Sequence, residues 1–146
     1  MNEATSTFAY AGLRLRLAAV MGDTFVLAVP SYAFRWLFAE PETSALFEIV
    51  DFLQLTAIWT VYHGVLESSK YQATLGKMFF RLRVVDLNGQ RVSFARAAGR
   101  YLGSLVAVLP LGIGLLMIGF TSRKQGLHDM MARCLVVKEA SDDLFL

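Results

Sequence analysis

Three apolar blocks run through the chain, at residues 17–38, 45–66 and 101–120, with polar stretches between them. Each is close to the ~20 apolar residues with which a helix crosses ~30 Å of hydrocarbon. The first block holds Gly22, Asp23 and Pro30 and ends near Arg35–Trp36. Pro30 removes one backbone donor and can kink the helix, which neighbouring helices tolerate in lipid. Ala18 and Gly22 form a small-xxx-small pair suited to a close helix contact. The second block follows a short acidic loop at 39–44, where Thr43 or Ser44 is placed to cap it. Glu48 and Asp51 lie in its first turns, where carboxylates suit the helix dipole.

The third block is interrupted by Pro110-Leu-Gly-Ile-Gly114 and reads in two ways. It is a single span, or a helical hairpin that turns at 110–114 and comes back. In the hairpin, each arm is short and the tip needs protein or water around its free backbone groups. The intervening polar segments predict a small β-element. Residues 81–86 alternate and then end in Val-Val, Asn88–Gly89 is a hairpin turn signal, and 91–94 and 134–138 are further strand candidates. These three strands suit one sheet. Residues 1–9 predict a frayed end, and 10–16 an interfacial helical turn. Ser93 is placed to cap a helix running through Arg96 and Arg100.

Composition strengthens the membrane reading. The 146-residue chain is 55% hydrophobic and 18% charged, with a mean hydropathy of +0.49, whereas soluble domains average ~25% charged residues. The length suits one domain. A net charge of +2 is too small to point to nucleic acid. The one cysteine, Cys134, excludes an internal disulfide and leaves a cysteine zinc cage without partners. Residues 1–9 carry no Lys or Arg, so a secretory signal is not expected there and the first block reads as a retained anchor.

Charge placement sets direction. Arg14 and Arg16 precede the first block, the 39–44 loop is acidic, and Lys70, Lys77, Arg81, Arg83, Arg91, Arg96 and Arg100 follow the second. The positive-inside rule then places the N-terminus and the 67–100 segment in the cytoplasm. Arg123, Lys124 and Arg133 follow the third block, so the same rule favours the hairpin over the single span.

Asp23 is the sharpest chemical candidate, because an acid at the centre of a membrane helix costs ~2.5–3.5 kcal/mol. It must face protein or water. His63 and Arg100 are its expected partners, since Arg16 shares its helix face but lies too far along the axis. Such a carboxylate either binds a cation or a proton, or clamps the helices in register. Asp129, beside His128, is expected to cap a helix or to accept from Arg81, Arg83 or Arg100. Metal ligation by His63, His128 and Asp129 has no supporting spacing. Residues 72–77 lack the glycine and hydroxyl pattern of a phosphate loop. They read as a capped turn in which Gln72 opens the segment, Thr74 orders the backbone, Gly76 permits close approach and Lys77 meets anionic lipid. The sequence shows one broken apolar segment and no internal repeat.

Several spaced motifs resemble the RDD domain family of prokaryotic membrane proteins. They are Arg16 to Asp23, Tyr62 through Glu67, Gln72-Ala-Thr-Leu-Gly-Lys77, Leu82-Arg-Val-Val-Asp86 with Gly89, Arg100–Tyr101, and Gln125-Gly-Leu-His-Asp129 followed by Val136–Val137. The resemblance covers about residues 12–138 and treats 1–146 as one domain. It maps the family's named residues to Arg16, Asp23 and Asp129. Cys134 stands where a Thr is expected. The resemblance implies cation/proton exchange for some members. The expected protein is an α-helical integral membrane protein of a prokaryotic inner membrane. It has two transmembrane helices, the broken third segment and a cytoplasmic sheet. It has no catalytic role, cofactor, metal or nucleic-acid partner. Its partners are the lipid bilayer and either a second copy or another membrane subunit. Two functions stay open: an ion or solute transporter using Arg16, Asp23, His63, Arg100 and Asp129, or a non-catalytic scaffold in which the same residues hold the bundle.

Overall fold

The computed structural model describes residues 9–38, 45–108 and 113–138. Strand β1 (Ala9–Tyr10) leads into helix α1 (Leu13–Phe38), and α2 (Ala45–Ser68) follows. At ~1.5 Å per residue these helices are roughly 39 and 36 Å long. Among the described residues one helix, α2, is both long and apolar enough to cross a membrane, and none of its apolar window is buried within the chain. Large apolar side chains of α1 and α2 face outward, among them Phe25, Val29, Leu46, Phe52 and Leu53. An apolar surface of that extent marks contact with lipid or protein.

A short helix α3 (Leu75–Phe79) passes directly into β2 (Leu82–Asp86). Helix α4 (Phe94–Val108) and α5 (Ile113–Phe120) follow, then a second short helix α6 (Leu127–Met131) and β3 (Cys134–Lys138). Ser93 caps α4 as expected, accepting from Arg96 N at 3.4 Å. Helix α4 packs along α2, where Gly64 leaves room for the Phe94 ring. Helix α5 returns against α4, with Gly114 seated on Ala107. The 39–44 loop with Thr43 and Ser44, and the turn at 110–112, lie outside the described residues.

The sheet has the order β1-β3-β2, antiparallel throughout. Two of the three expected strands form it. The third, 91–94, is reduced to a single bridge between Val85 and Arg91. The Asn88–Gly89 turn does form: Gly89 takes φ 78°, and Asp86 Oδ1 accepts from Asn88 N and Gln90 N at 2.8 Å. Past Arg91 the chain is drawn into the core by Val92 and then into α4 by the Ser93 cap. The third strand is instead Ala9–Tyr10, expected as frayed end and helical turn. It pairs the free edge of β3, and Ala11 N extends the contact to Val136 O at 2.9 Å. One sheet face packs Leu82, Val84, Cys134 and Val136 against Ala11, Ala19 and Ala97; the other packs Val85, Leu135 and Val137 with Tyr10.

The fold contains an internal repeat that sequence inspection missed. At one constant spacing, Leu75, Met78, Arg81, Val84 and Val85 recur as Leu127, Met130, Arg133, Val136 and Val137. The backbone repeats with them. Gln72 and Lys124, and then Arg81 and Arg133, all take left-handed φ values of 48–54°. Arg81 and Arg133 each stand just past a five-residue helix and open the strand that follows. The registers fit a two-fold relation, because the equivalent residues Val84 and Val136 pair with each other at the centre of β2–β3.

Candidate functional site

Two buried polar clusters sit where the long helices meet the short ones. The first is centred on Asp23. Ala19 and Gly22 present a smooth face to α3, and a Cβ on Gly76 would stand 2.9 Å from Asp23 Cγ. Only glycine lets α3 approach α1 so closely. Asp23 Oδ1 accepts from Tyr62 Oη at 2.7 Å and Gly76 N at 2.7 Å, and Oδ2 accepts from Thr74 Oγ1 at 2.6 Å. Tyr62 Oη in turn accepts from Leu75 N at 3.2 Å, and Thr74 Oγ1 from Lys77 N at 3.4 Å. The carboxylate thus holds the start of α3 with neutral donors. Its expected partners, His63 and Arg100, belong to the other cluster. Sequence reasoning placed them by depth alone and passed over the hydroxyls of Tyr62 and Thr74, which reach Asp23 first.

The second cluster is ionic, and its hub is Glu67, fully buried at the end of α2. Glu67 Oε1 accepts from Lys77 Nζ, from Arg100 Nη2 at 2.5 Å and from His63 Nδ1 at 2.9 Å; Oε2 accepts from Arg100 Nε at 3.1 Å. Arg100 Nη1 crosses to Asp129 Oδ1 at 3.0 Å, and Arg16 Nη1 meets Asp129 Oδ2. Arg16 uses its remaining donors on Ala11 O at 3.0 Å and Lys124 O at 2.6 Å. Asp129 also caps its own helix, accepting from Gly126 N at 3.2 Å. The chain of ion pairs therefore runs Lys77, Glu67, Arg100, Asp129, Arg16, and it ties α1, α2, α3, α4 and α6 together.

Lys77 is a correction: it is buried on Glu67 and does not reach lipid. Burial, together with the nearby Arg100 charge, lowers its pKa. Burial would raise the Asp129 carboxyl, but Arg16 and Arg100 outweigh it and hold Asp129 at about 2. Burial pushes His128 down to about 4, so it is neutral at pH 7 despite Asp129 beside it. His128 Nδ1 is buried with no hydrogen-bond partner among the described residues. Burial raises the Cys134 thiol to about 11, which leaves it protonated and unreactive. Gln72 contributes its carbonyl, which accepts from Val84 N at 2.6 Å and covers the edge of β2.

Glu67 and Tyr62 were missed as site residues. A signal for Glu67 existed. An acid in the last turn of a helix opposes the dipole, so it demands a cation, and His63 stands one turn before it. Above the ionic cluster lies a cavity of about 320 Å³, walled by Leu17, Val20, Leu105 and Ile118 and floored by His63, Lys77, Arg100 and His128. The His63 ring stacks on Tyr101 at 4.7 Å and continues to Trp59 at 6.0 Å.

The Arg16–Asp129 pair and the separate Asp23 node are what the resemblance to a known family singles out. A model of the RDD family matches residues 10–133. The chain belongs to the RDD family. It is 32% identical to YxaI of Bacillus subtilis (strain 168), over 87% of this chain and 96% of that protein. It is 31% identical to YteJ of the same organism, named as a membrane protein, over 91% of this chain and 84% of that one. It is also similar to RP437 of Rickettsia prowazekii, at 38% identity over 44% of this chain and 36% of that protein. No solved structure matches. Family membership and the membrane relative give this RDD protein a membrane location, and its build is mostly helical with a small antiparallel sheet. Of the mapped residues, Arg16 and Asp129 are joined directly, whereas Asp23 serves α3 on its own.

Proposed function

We propose that this RDD protein is a multi-pass inner-membrane module whose buried charges lock the helices to a cytoplasmic sheet, and that it works as a non-catalytic membrane subunit. The engagement of the buried carboxylates and guanidinium groups by the protein itself carries this reading. Asp23 is met by three donors, and each guanidinium nitrogen of Arg16 and Arg100 meets a carboxylate or a carbonyl. A cation site needs carboxylate oxygens to spare, and here they are engaged by the protein itself. The sheet supports a topology. Its strands come from residues 9–10, 82–86 and 134–138, so all three segments share one side of the bilayer. Helices α1 and α2 then cross as a pair, and α4–α5 enters and returns as a hairpin. The alternative single span would carry β3 away from β2. The charge rule makes the shared side cytoplasmic.

A second reading, cation/proton exchange, draws on the cavity above the cluster, with His63 and His128 on its floor, and on the internal repeat. Proteoliposomes separate the two. With the subunit reading, the purified protein passes no proton flux under a Na⁺ or K⁺ gradient, and Asp23→Asn lowers stability without altering flux. Flux in the intact protein that Asp23→Asn abolishes, with folding retained, establishes exchange instead. A C-terminal reporter that reads outside the cell overturns the topology.

A further inference from the structure

The two short helices carry apolar side chains that nothing among the described residues covers. On α3, Leu75 is 46% and Phe79 83% exposed; on α6 the equivalent residues, Leu127 and Met131, are 38% and 69% exposed. The positions between them, Gly76–Lys77 and His128–Asp129, are buried in both. Each helix is thus amphipathic in the same sense, with a polar face on the ionic cluster and an apolar face turned out. A chance exposed apolar residue needs no explanation. A matched pair related by the internal two-fold does.

Depth identifies what covers them. Helix α3 crosses α1 at Ala19, Gly22 and Asp23, roughly 3–9 Å along the axis from Leu17, where the first apolar block begins. Helix α6 crosses α4 at Gly103, about 3 Å past Tyr101, where the third block begins. Both short helices therefore lie at the rim of the apolar region. Interfacial helices sit at such a level, ~5–10 Å into the boundary between headgroups and acyl chains. The exposed cations Lys70, Arg81, Arg123, Lys124 and Arg133 flank the two helices, which suits an anionic leaflet.

We infer that α3 and α6 are a matched pair of interfacial helices, with Leu75 and Phe79, and Leu127 and Met131, set in the headgroup–acyl boundary of the cytoplasmic leaflet. They act as two floats that fix the depth of the sheet and keep the ionic cluster level with the membrane surface. The inference rests on the membrane topology proposed above, and its test distinguishes the two.

The full chain is prepared with Trp36→Phe and Trp59→Phe, and a single tryptophan is introduced by Phe79→Trp, Met131→Trp or, as a deep reference, Phe25→Trp. Retained fold is checked by circular dichroism. Each protein is placed in phosphatidylcholine–phosphatidylglycerol vesicles containing lipids brominated near the headgroup or near the chain end. Phe79→Trp and Met131→Trp are expected to be quenched to similar extents and more by the shallow bromines. Phe25→Trp is expected to show the reverse order. Quenching of Phe79→Trp or Met131→Trp by aqueous iodide instead of by brominated lipid overturns the inference. Shielding of either site from both quenchers overturns it too and marks a contact with a second copy. Quenching at only one site breaks the pair. Should Phe25→Trp also escape brominated lipid, the membrane topology itself falls.

Discussion

The units α3–β2 and α6–β3 share a backbone and differ in how each is held. Helix α3 begins at Thr74, and the acid that satisfies its start, Asp23, comes from α1. Helix α6 begins at Gly126, and its acid, Asp129, comes from its own first turn. The buried position that is Lys77 in one unit is Asp129 in the other, and the chain of ion pairs runs between them through Glu67 and Arg100. Gly76, which lets α3 touch α1, is replaced at the equivalent place by His128. One geometry has thus been fixed by a neutral hydrogen-bond node on one side and by an ionic node on the other.

The largest expected difference follows from that contrast. Asp129→Ala strands Arg16 and Arg100 in a buried site, and losing one partner of a buried pair costs ~3–5 kcal/mol. Asp23→Asn leaves only neutral donors short of an acceptor, a cost of ~1–3 kcal/mol. Denaturant unfolding in detergent micelles measures both, and equal costs would erase the distinction between the nodes.

Acid should also bear on the α6 unit through His128. His128 is held at about 4 when folded, against 6.5 when free. As pH falls the unfolded chain takes the proton first. The stabilisation is whole above pH 6.5 and is lost on the way down to pH 4, about 3 kcal/mol in all. His128→Gln should flatten that part of the stability profile, whereas the α3 unit has glycine there and nothing to titrate. A slope that persists in His128→Gln assigns the proton elsewhere.

Gly76→Ala drives a methyl into α1 and should cost ~1–3 kcal/mol. Deuterium exchange should quicken in α3 and β2 before α6 and β3. Uniform quickening would mean that the two units are not separately anchored.

The smallest effect tests the symmetry itself. Arg81 and Arg133 both hold left-handed backbone, which costs an L-residue ~1–2 kcal/mol. Glycine relieves it but adds ~0.4–1 kcal/mol of unfolded-chain freedom. Arg81→Gly and Arg133→Gly should each stabilise by up to ~1 kcal/mol, and by the same amount. A clear difference in sign would deny the equivalence.

These contrasts also show what the sequence revealed. The strands at 82–86 and 134–138 were readable from their paired valines, and the long helices from the length of their apolar blocks. Strand β1 was not, because two residues carry no period and Ala9–Tyr10 is a strand only through β3. The repeat was hidden because its buried positions changed character: glycine against histidine, lysine against aspartate. Glu67 was overlooked because it closes an apolar run beside Ser68 and Ser69, where an acid reads as the start of a solvated loop. Local composition gives no hint that Lys77 and Arg100 fold onto it.

Strand β1 has a consequence for how the protein is made. Its partner, β3, is the last described segment of the chain, and β2 likewise needs β3 between itself and β1. During synthesis the two long helices are complete well before β3 emerges. Contacts so distant along the chain form late. Strand β1 must wait unpaired until the ribosome has delivered β3. A chain cut short after α5 would keep its greasy helices and lack the one strand that joins the other two, so the sheet is all or nothing.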